Sequence, residues 1–313
     1  MSAKITMLEE KISNPIKAWD KSLEEKSEEF SYKLNEKCIK ELSKNKEKLS
    51  YQNPNDFSEL NEFVNNLKEN VLIGGCGFFV INGKELLNFD VNEKKNINII
   101  ISKMIGQLLE QNKNHDLHVE IKDLGKSMKT GGRYHHTKEG GSYHTDGSHL
   151  YKNPPDYVGL LCINPAKEGG VSKFMSAYTI HNKLLVHKEI LEVLYNKFHH
   201  DRKNEHSENE DTTRFEPIFE FLNDNLKFKY QRELIETGHE KANQPLNEKQ
   251  IKAINLLEEI LRDSDQMVTY DLKTGDMMFS NNRWLIHDRT SFEDHDNEKL
   301  KRLLVRTWIR ELN

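Results

Sequence analysis

Tyr143-His144-Thr145-Asp146-Gly147 is the stretch on which the fold of this chain turns. His144 and Asp146 stand two residues apart. On a strand side chains repeat every two residues, so the imidazole and the carboxylate share a face. A borderline metal such as Fe(II) is well served by this mix of nitrogen and oxygen ligands. Two ligands are too few, and a third has to come from elsewhere. Downstream the chain reads Phe279-Ser280-Asn281-Asn282-Arg283-Trp284-Leu285-Ile286-His287-Asp288-Arg289, where His287 closes an apolar segment and is the best candidate. Two histidines and one carboxylate with positions left open form the facial triad diagnostic of non-haem Fe(II) oxygenases. His135 and His136 compete for the same role, but adjacent side chains on a strand diverge.

A His-x-Asp pair is weak evidence by itself in a chain with 14 histidines. The stretch Lys301-Arg302-Leu303-Leu304-Val305-Arg306-Thr307-Trp308 strengthens it. As a strand, it places Arg302, Leu304, Arg306 and Trp308 on one face. Two arginines on an apolar strand are costly unless they meet anions.

The order His-Thr-Asp, then Gly169-Gly170-Val171-Ser172, then Asn-Asn-Arg-x-x-x-His-x-Arg-Thr, then Arg-x-x-x-Arg resembles the taurine dioxygenase and clavaminate synthase group of Fe(II)/2-oxoglutarate-dependent oxygenases. The resemblance runs from about Gly74 to Trp308. It implies Fe(II) on His144, Asp146 and His287, 2-oxoglutarate as cosubstrate with O2, and release of succinate and CO2. It also implies that Arg302, fifteen residues after His287, meets the far carboxylate of 2-oxoglutarate in a bidentate pair, a geometry lysine does not copy. Ser172 replaces a threonine whose hydroxyl bonds a 2-oxoglutarate carboxylate. Arg306 matches an arginine that in several members meets an acidic group of the substrate. Halogenating relatives carry a small residue at the carboxylate position, so Asp146 argues for hydroxylation, or for desaturation or ring closure. The implied fold is α+β with a mainly β core: a double-stranded β-helix, or jelly roll, with peripheral helices.

With 313 residues the chain suffices for one large domain or two ordinary ones, and one elaborated domain is expected because the ligands must converge. Charged residues make up 31% and the net charge is −5, which leaves no electrostatic footprint for nucleic acid. Cys38, Cys76 and Cys162 are too few and too scattered for a disulfide framework, which favours a reducing compartment. No apolar run suits a signal peptide or a membrane span, so a cytoplasmic protein is expected.

Residues 1–50 are expected to form a helical arm, with Trp19, Leu23, Phe30 and Leu34 among its apolar positions, on an oxygenase domain of 51–313. Helices are expected at Phe57–Asn70, Asn92–Asn112, Tyr178–Phe198 and Asn247–Arg262, and strands at Val71–Ile73, Phe78–Ile81, His118–Ile121, Asp156–Asn164 and Leu303–Ile309. Met267–Leu272 and Met277–Ser280 should form the hairpin that delivers His287. Lys126–Gly141 is polar and glycine-rich, and it is expected to be a mobile wall of the pocket with Arg133 and Tyr134 as substrate contacts. An insertion at about 199–245 opens with a polar run, His199–Asp211, expected to be a solvated loop, and includes a hairpin around Asn223-Asp224-Asn225. Arg214 and Arg232 are weak candidates to reach the pocket.

The activity expected is oxidation, foremost hydroxylation, of an unactivated C–H in a small acid such as an amino acid or its derivative. The partner is that small molecule; self-association is left open. The competing readings are a non-oxidative metal enzyme on a cupin-like barrel and a barrel used only for binding. A hydrolase has no need of paired arginines on the last strand, and a binding protein has no need of the triad.

Overall fold

The computed structural model describes residues 7–128 and 132–312. Lys129, Thr130 and Gly131 of the polar loop therefore lie outside the described residues. The chain mixes α and β structure: its core is mainly sheet and its helices are peripheral.

The larger sheet runs Ser31–Tyr32, Phe78–Ile81, Met277–Asn281, Tyr157–Asn164, Leu303–Arg310, Gln107–Leu109, with His118–Ile121 also pairing the last strand. Its central strands are buried on both faces, as their near-continuous apolar runs require. The helix Val91–Ile105 covers one face. Its Ser102 hydroxyl meets that of Thr307 at 2.9 Å. Beneath it Gly159 has no room for a side chain: a Cβ would lie 2.5 Å from Thr307 Oγ1 and 2.7 Å from the Phe279 ring.

The smaller sheet orders Val268–Tyr270, Ser172–Ser176, Leu285–Arg289, all antiparallel. The two sheets meet through Phe78 and Phe174, whose rings stack at 5.1 Å. Arg302, just before the last strand, and Leu304 and Arg306 on it line a cavity at the mouth between the sheets.

Several local expectations hold. The helices Ser58–Leu67 and Glu248–Leu261 form, the last with a reciprocal capping box between Asn247 and Gln250, whereas the helix expected over Tyr178–Phe198 is two, Ala177–Leu184 and Lys188–Tyr195, with Phe198 already in a strand, and the one expected over Asn92–Asn112 ends at Ile105. Phe219–Leu222 and Asn225–Phe228 pair as a hairpin, with Asn223 and Asp224 left-handed at its turn, the geometry that matches strand twist.

Others are corrected. Val71-Leu72-Ile73 is not a strand but the end of a wide helical turn, Lys68–Ile73, continuing Ser58–Leu67. Val268–Tyr270 and Met277–Asn281 are not a hairpin. The first joins the smaller sheet and the second the larger, so the turn between them crosses from one sheet to the other. Between Pro15 and Ser50 the only α-helix is Glu36–Lys44; the rest is loop, short turns of 3-10 helix and the two-residue strand Ser31–Tyr32. Here the apolar side chains are anchored one by one. Trp19 donates from Nε1 to the Cys76 carbonyl at 2.9 Å, and Phe30 packs on Phe78 at 4.9 Å.

The polar run after Phe198 is not simply a solvated loop. Lys197–Asp201 pairs with Thr213–Pro217, and His200, Asp201, Arg202 and Glu205 are buried. Asp201 is the best-satisfied of its polar groups, while His200 Nδ1, Arg202 Nε and Glu205 Oε2 are buried without a partner. Asp201 accepts from the Lys203 amide at 2.7 Å, Lys241 Nζ at 2.7 Å and Thr237 Oγ1 at 3.0 Å. Polar side chains tolerate burial when paired in this way, and apolar content does not reveal it.

Candidate active site

The segment Tyr143–Gly147 is stitched into place on three sides, although only His144 makes a β-bridge and no regular strand forms. His144 pairs with His287, each amide donating to the other's carbonyl at 3.0 Å. The Thr145 amide donates to the Tyr230 carbonyl at 3.0 Å. Asn282 acts as a surrogate strand: its Oδ1 accepts from the Asp146 amide at 2.8 Å, and its Nδ2 donates to the Asp146 carbonyl at 3.0 Å. Gly147 then turns the chain away at φ +83°, with Pro155 Cδ 2.4 Å from where a Cβ would stand.

This frame brings His144, Asp146 and His287 together, with one ligand atom from each lying within 4.8 Å of the others. It is the only such group of three among the described residues. His144 Nδ1 lies 2.7 Å from the Ser142 carbonyl. A carbonyl only accepts, so Nδ1 donates to it, and Nε2 faces Asp146 Oδ1 at 3.7 Å. Burial, with the charges of His144 and Arg306, pushes His287 down to about 3, so its imidazole is neutral. Burial would raise Asp146, but the charge of Arg306 beside it and a bond from Trp308 hold it below the usual carboxylate range. A neutral His287 and an ionised Asp146 are the protonation states a divalent metal requires of those two ligands.

The last strand supplies the opposite wall. Arg306 donates from Nη1 to Asp146 at 3.2 Å and from Nε to Gln111 at 2.8 Å, and Trp308 Nε1 donates to Asp146 Oδ2 at 2.9 Å. Arg302 is different. Its guanidinium lies over the Phe292 ring at 4.9 Å, and its buried Nη1 has no partner. Burial and the nearby charge of Arg289 lower it to about 10. Ser172 lines the same cavity, opposite Arg289 in the strand register.

The cavity has a volume of about 410 Å³. Tyr134 lines it with its ring centroid 5.3 Å from that of His144, edge to face, while its hydroxyl is committed to Asp288 Oδ1 at 2.6 Å. Arg133 also lines it and is ion-paired with Glu205. Arg214 and Arg232 do not line it: Arg214 bonds the Leu150 carbonyl, and Arg232 pairs with Glu236 on its own helix.

Sequence reasoning passed over three residues. Asn282 lay in the Asn-Asn-Arg motif, yet an amide replacing a strand partner leaves no periodic signal. Asp288 and Arg289 follow His287, and both tie down the loop before His144. Asp288 accepts from the Gly141 and Ser142 amides at 3.1 and 3.0 Å, while Arg289 donates to the carbonyls of Tyr134, Thr137 and Glu139. The loop expected to be a mobile wall is thus held at residues 134–142 by the strand that carries His287.

Residues 47–308 match the family model described as "Taurine catabolism dioxygenase TauD, TfdA family". FR-33289 synthase from Streptomyces rubellomurinus is 25% identical over 305 residues, covering 93% of this chain and 88% of that one. Among solved structures, asparagine oxygenase with Fe(II), 2S,3S-3-hydroxyasparagine and succinate superposes with a TM-score of 0.68 at 15% identity, over 90% of this chain and 93% of that one. The non-haem iron oxygenase OrfP with Fe, succinate and (3S)-hydroxy-L-Arg gives 0.62 at 12% identity, over 90% and 94%.

Proposed function

The chain belongs to the TauD/TfdA dioxygenase family and is a 2-oxoglutarate-dependent Fe(II) dioxygenase; on that footing we propose that it oxidises an unactivated C–H of a small acid of the amino-acid kind, foremost by hydroxylation. The observation that carries the site assignment is the convergence of His144, Asp146 and His287 below a buried arginine with an unpartnered nitrogen in the same cavity. The donor set suits Fe(II), with His144 Nε2, Asp146 and His287 as its ligands. Bound there with 2-oxoglutarate and O2, the iron supplies the oxidising power, and succinate and CO2 leave.

The chain's own residues position and shield. Arg302 takes the far carboxylate of 2-oxoglutarate, for which Nη1 is the free donor, and the Ser172 hydroxyl assists. Arg306 braces Asp146 through Nη1, leaving Nη2 for the substrate. Arg133 meets the substrate at the mouth, and Tyr134 offers its ring, since its hydroxyl is held by Asp288. The two facing sheets are read as a double-stranded β-helix, with residues 1–50 as an arm on a domain of 51–313 that carries the insertion at about 199–245. No helix among the described residues is long and apolar enough to cross a membrane, and a cytoplasmic place is proposed. Desaturation or ring closure uses the same site and remains the alternative outcome.

The test is succinate release with Fe(II) and 2-oxoglutarate, first without and then with O2, across a panel of amino acids and N-substituted amino acids. O2-dependent succinate release stimulated by a panel member supports the reading. No 2-oxoglutarate consumption with any of them, in protein shown to hold Fe(II), overturns it.

A further inference from the structure

The backbone that sets the two histidines side by side also sets a third residue beside them. His144 bridges His287 on one side and Gln231 on the other, both antiparallel. Next to the second bridge the Thr145 amide donates to the Tyr230 carbonyl at 3.0 Å, one residue away from the bridged pair. His144 and Gln231 are thus opposed without bonding each other, the kind of pair whose side chains stand closest. Opposed residues of an antiparallel pair project to one side. Gln231, His144 and His287 therefore follow one another across a single face, and all three line the cavity.

The fold makes no other use of the Gln231 side chain. Gln231 is the N-cap of the helix Arg232–Lys241, a place suited to Ser, Thr, Asp or Asn, and its side chain does not turn back to cap it. Its half-buried amide has no hydrogen-bond partner among the described residues. The other glutamine of the cavity wall, Gln111, is spent: it donates to the Arg306 carbonyl at 2.9 Å and accepts from Arg306 Nε at 2.8 Å. A primary amide offers a donor and an acceptor side by side. A substrate ammonium leaves the donor unanswered, and a carboxylate leaves the acceptor unanswered. A primary carboxamide answers both, its carbonyl taking Nε2–H and its own N–H reaching Oε1.

We propose that Gln231 is a specificity-determining residue that holds a primary carboxamide of the substrate beside the iron. The proposal rests on the oxygenase reading of this cavity and narrows it. The substrate is an acid, its acidic group at Arg306, that carries an uncharged carboxamide close to the carbon to be oxidised. The neighbouring bridge to His144 makes Gln231 the side chain through which the metal site and the substrate are set in register.

The experiment titrates two probes of one shape, succinamate and levulinate, by calorimetry. Levulinate has a methyl where succinamate has its NH2, so it leaves the glutamine oxygen without a donor. The full chain is used, loaded with Zn(II) as a redox-silent substitute for iron and saturated with 2-oxoglutarate. The expected result is a preference of about tenfold or more for succinamate, the effect of one hydrogen-bonding group left unpaired. Gln231→Leu, of similar size and without polar atoms, brings the ratio of the two affinities close to one. Should that variant not load Zn(II), Gln231→Ala gives the same comparison without added apolar bulk. A side chain that only supported the fold would weaken both probes together and leave the ratio unchanged, and that result overturns the proposal. So does a wild-type chain that loads Zn(II) and 2-oxoglutarate but binds neither probe, or binds both alike. Failure of the wild-type chain to load Zn(II) and 2-oxoglutarate overturns the oxygenase reading itself, and the proposal with it.

Discussion

His144 and His287 exchange both of their backbone hydrogen bonds, each at 3.0 Å. Residues directly opposed in an antiparallel pair project to the same side, which brings these two imidazoles to 4.4 Å between ring centroids. The backbone thus sets the spacing of the two nitrogen ligands before any metal arrives. Asp146, bridged by Asn282, Arg306 and Trp308, completes a preformed site.

His144→Ala and Asp146→Ala both abolish Fe(II)-dependent succinate release, but they differ in stability. His144→Ala leaves the backbone pairing intact. Asp146→Ala leaves Arg306 buried without its carboxylate, which costs about 3–5 kcal/mol. Thermal or urea denaturation should rank Asp146→Ala well below His144→Ala. Equal stability of the two would show that Arg306 does not depend on Asp146.

Arg302→Ala raises the 2-oxoglutarate concentration required for half-maximal turnover by tens to thousands of fold, since losing a buried charged partner costs about 2–5 kcal/mol. It does not destabilise the empty protein through any lost bond at Nη1, because that nitrogen has no protein partner. Arg302→Lys recovers only part of the loss, having no bidentate fork. Titration of 2-oxoglutarate against both variants, with unfolding curves alongside, checks this. An unchanged requirement in Arg302→Ala would remove Arg302 from the cosubstrate site.

Asp288→Asn weakens metal binding by about 10–100-fold without touching a ligand. Asp288 holds the Ser142 amide at 3.0 Å, and the Ser142 carbonyl fixes the His144 tautomer at 2.7 Å. Fe(II) or Zn(II) affinity by calorimetry reads this directly. Tyr134→Phe, which removes one of the same carboxylate's donors, should show a smaller loss in the same direction. Wild-type affinity in Asp288→Asn would show that the loop needs no such anchor.

Acid should destabilise the fold through histidines remote from the metal. Burial lowers His181 and His200 to about 4 from an ordinary value of 6.5. Between those values the unfolded chain binds protons that the folded chain refuses. Their contribution is complete above pH 6.5, falls as pH drops towards about 4, and is flat below that, by up to about 3 kcal/mol for each group. Urea midpoints at pH 7.5, 6 and 5 measure the slope. His181→Phe should flatten it by roughly one proton; an unchanged slope would mean that His181 charges freely in the folded state.

The triad was legible from the two-residue spacing of His144 and Asp146, although no regular strand forms there, and the last strand from the alternation of Leu304, Arg306 and Trp308. The same rule failed where pairing crosses between sheets. Val268–Tyr270 and Met277–Asn281 have the pattern and turn of a hairpin, and nothing local says that their partners are Ser172–Ser176 and Phe78–Ile81. Val71-Leu72-Ile73 has strand-like composition, yet it continues a helix because its burial is set by tertiary contacts. The polar insertion misled for a third reason: Asp201, Arg202 and Glu205 are buried against charged partners such as Lys241, Glu210 and Arg133, which hydrophobic patterning does not register.

The bond from Trp308 to Asp146 spans 162 residues of sequence. At about 5–20 residues per second, a ribosome needs about 8–30 s after Asp146 to reach Trp308. Through that interval His144 and Asp146 already exist as a small chelating pair, without the histidine, the arginine brace or the indole that complete their surroundings. The order of manufacture thus places faithful metal loading after the last strand has docked, and it makes the growing chain, rather than the finished protein, the form most open to capturing the wrong ion.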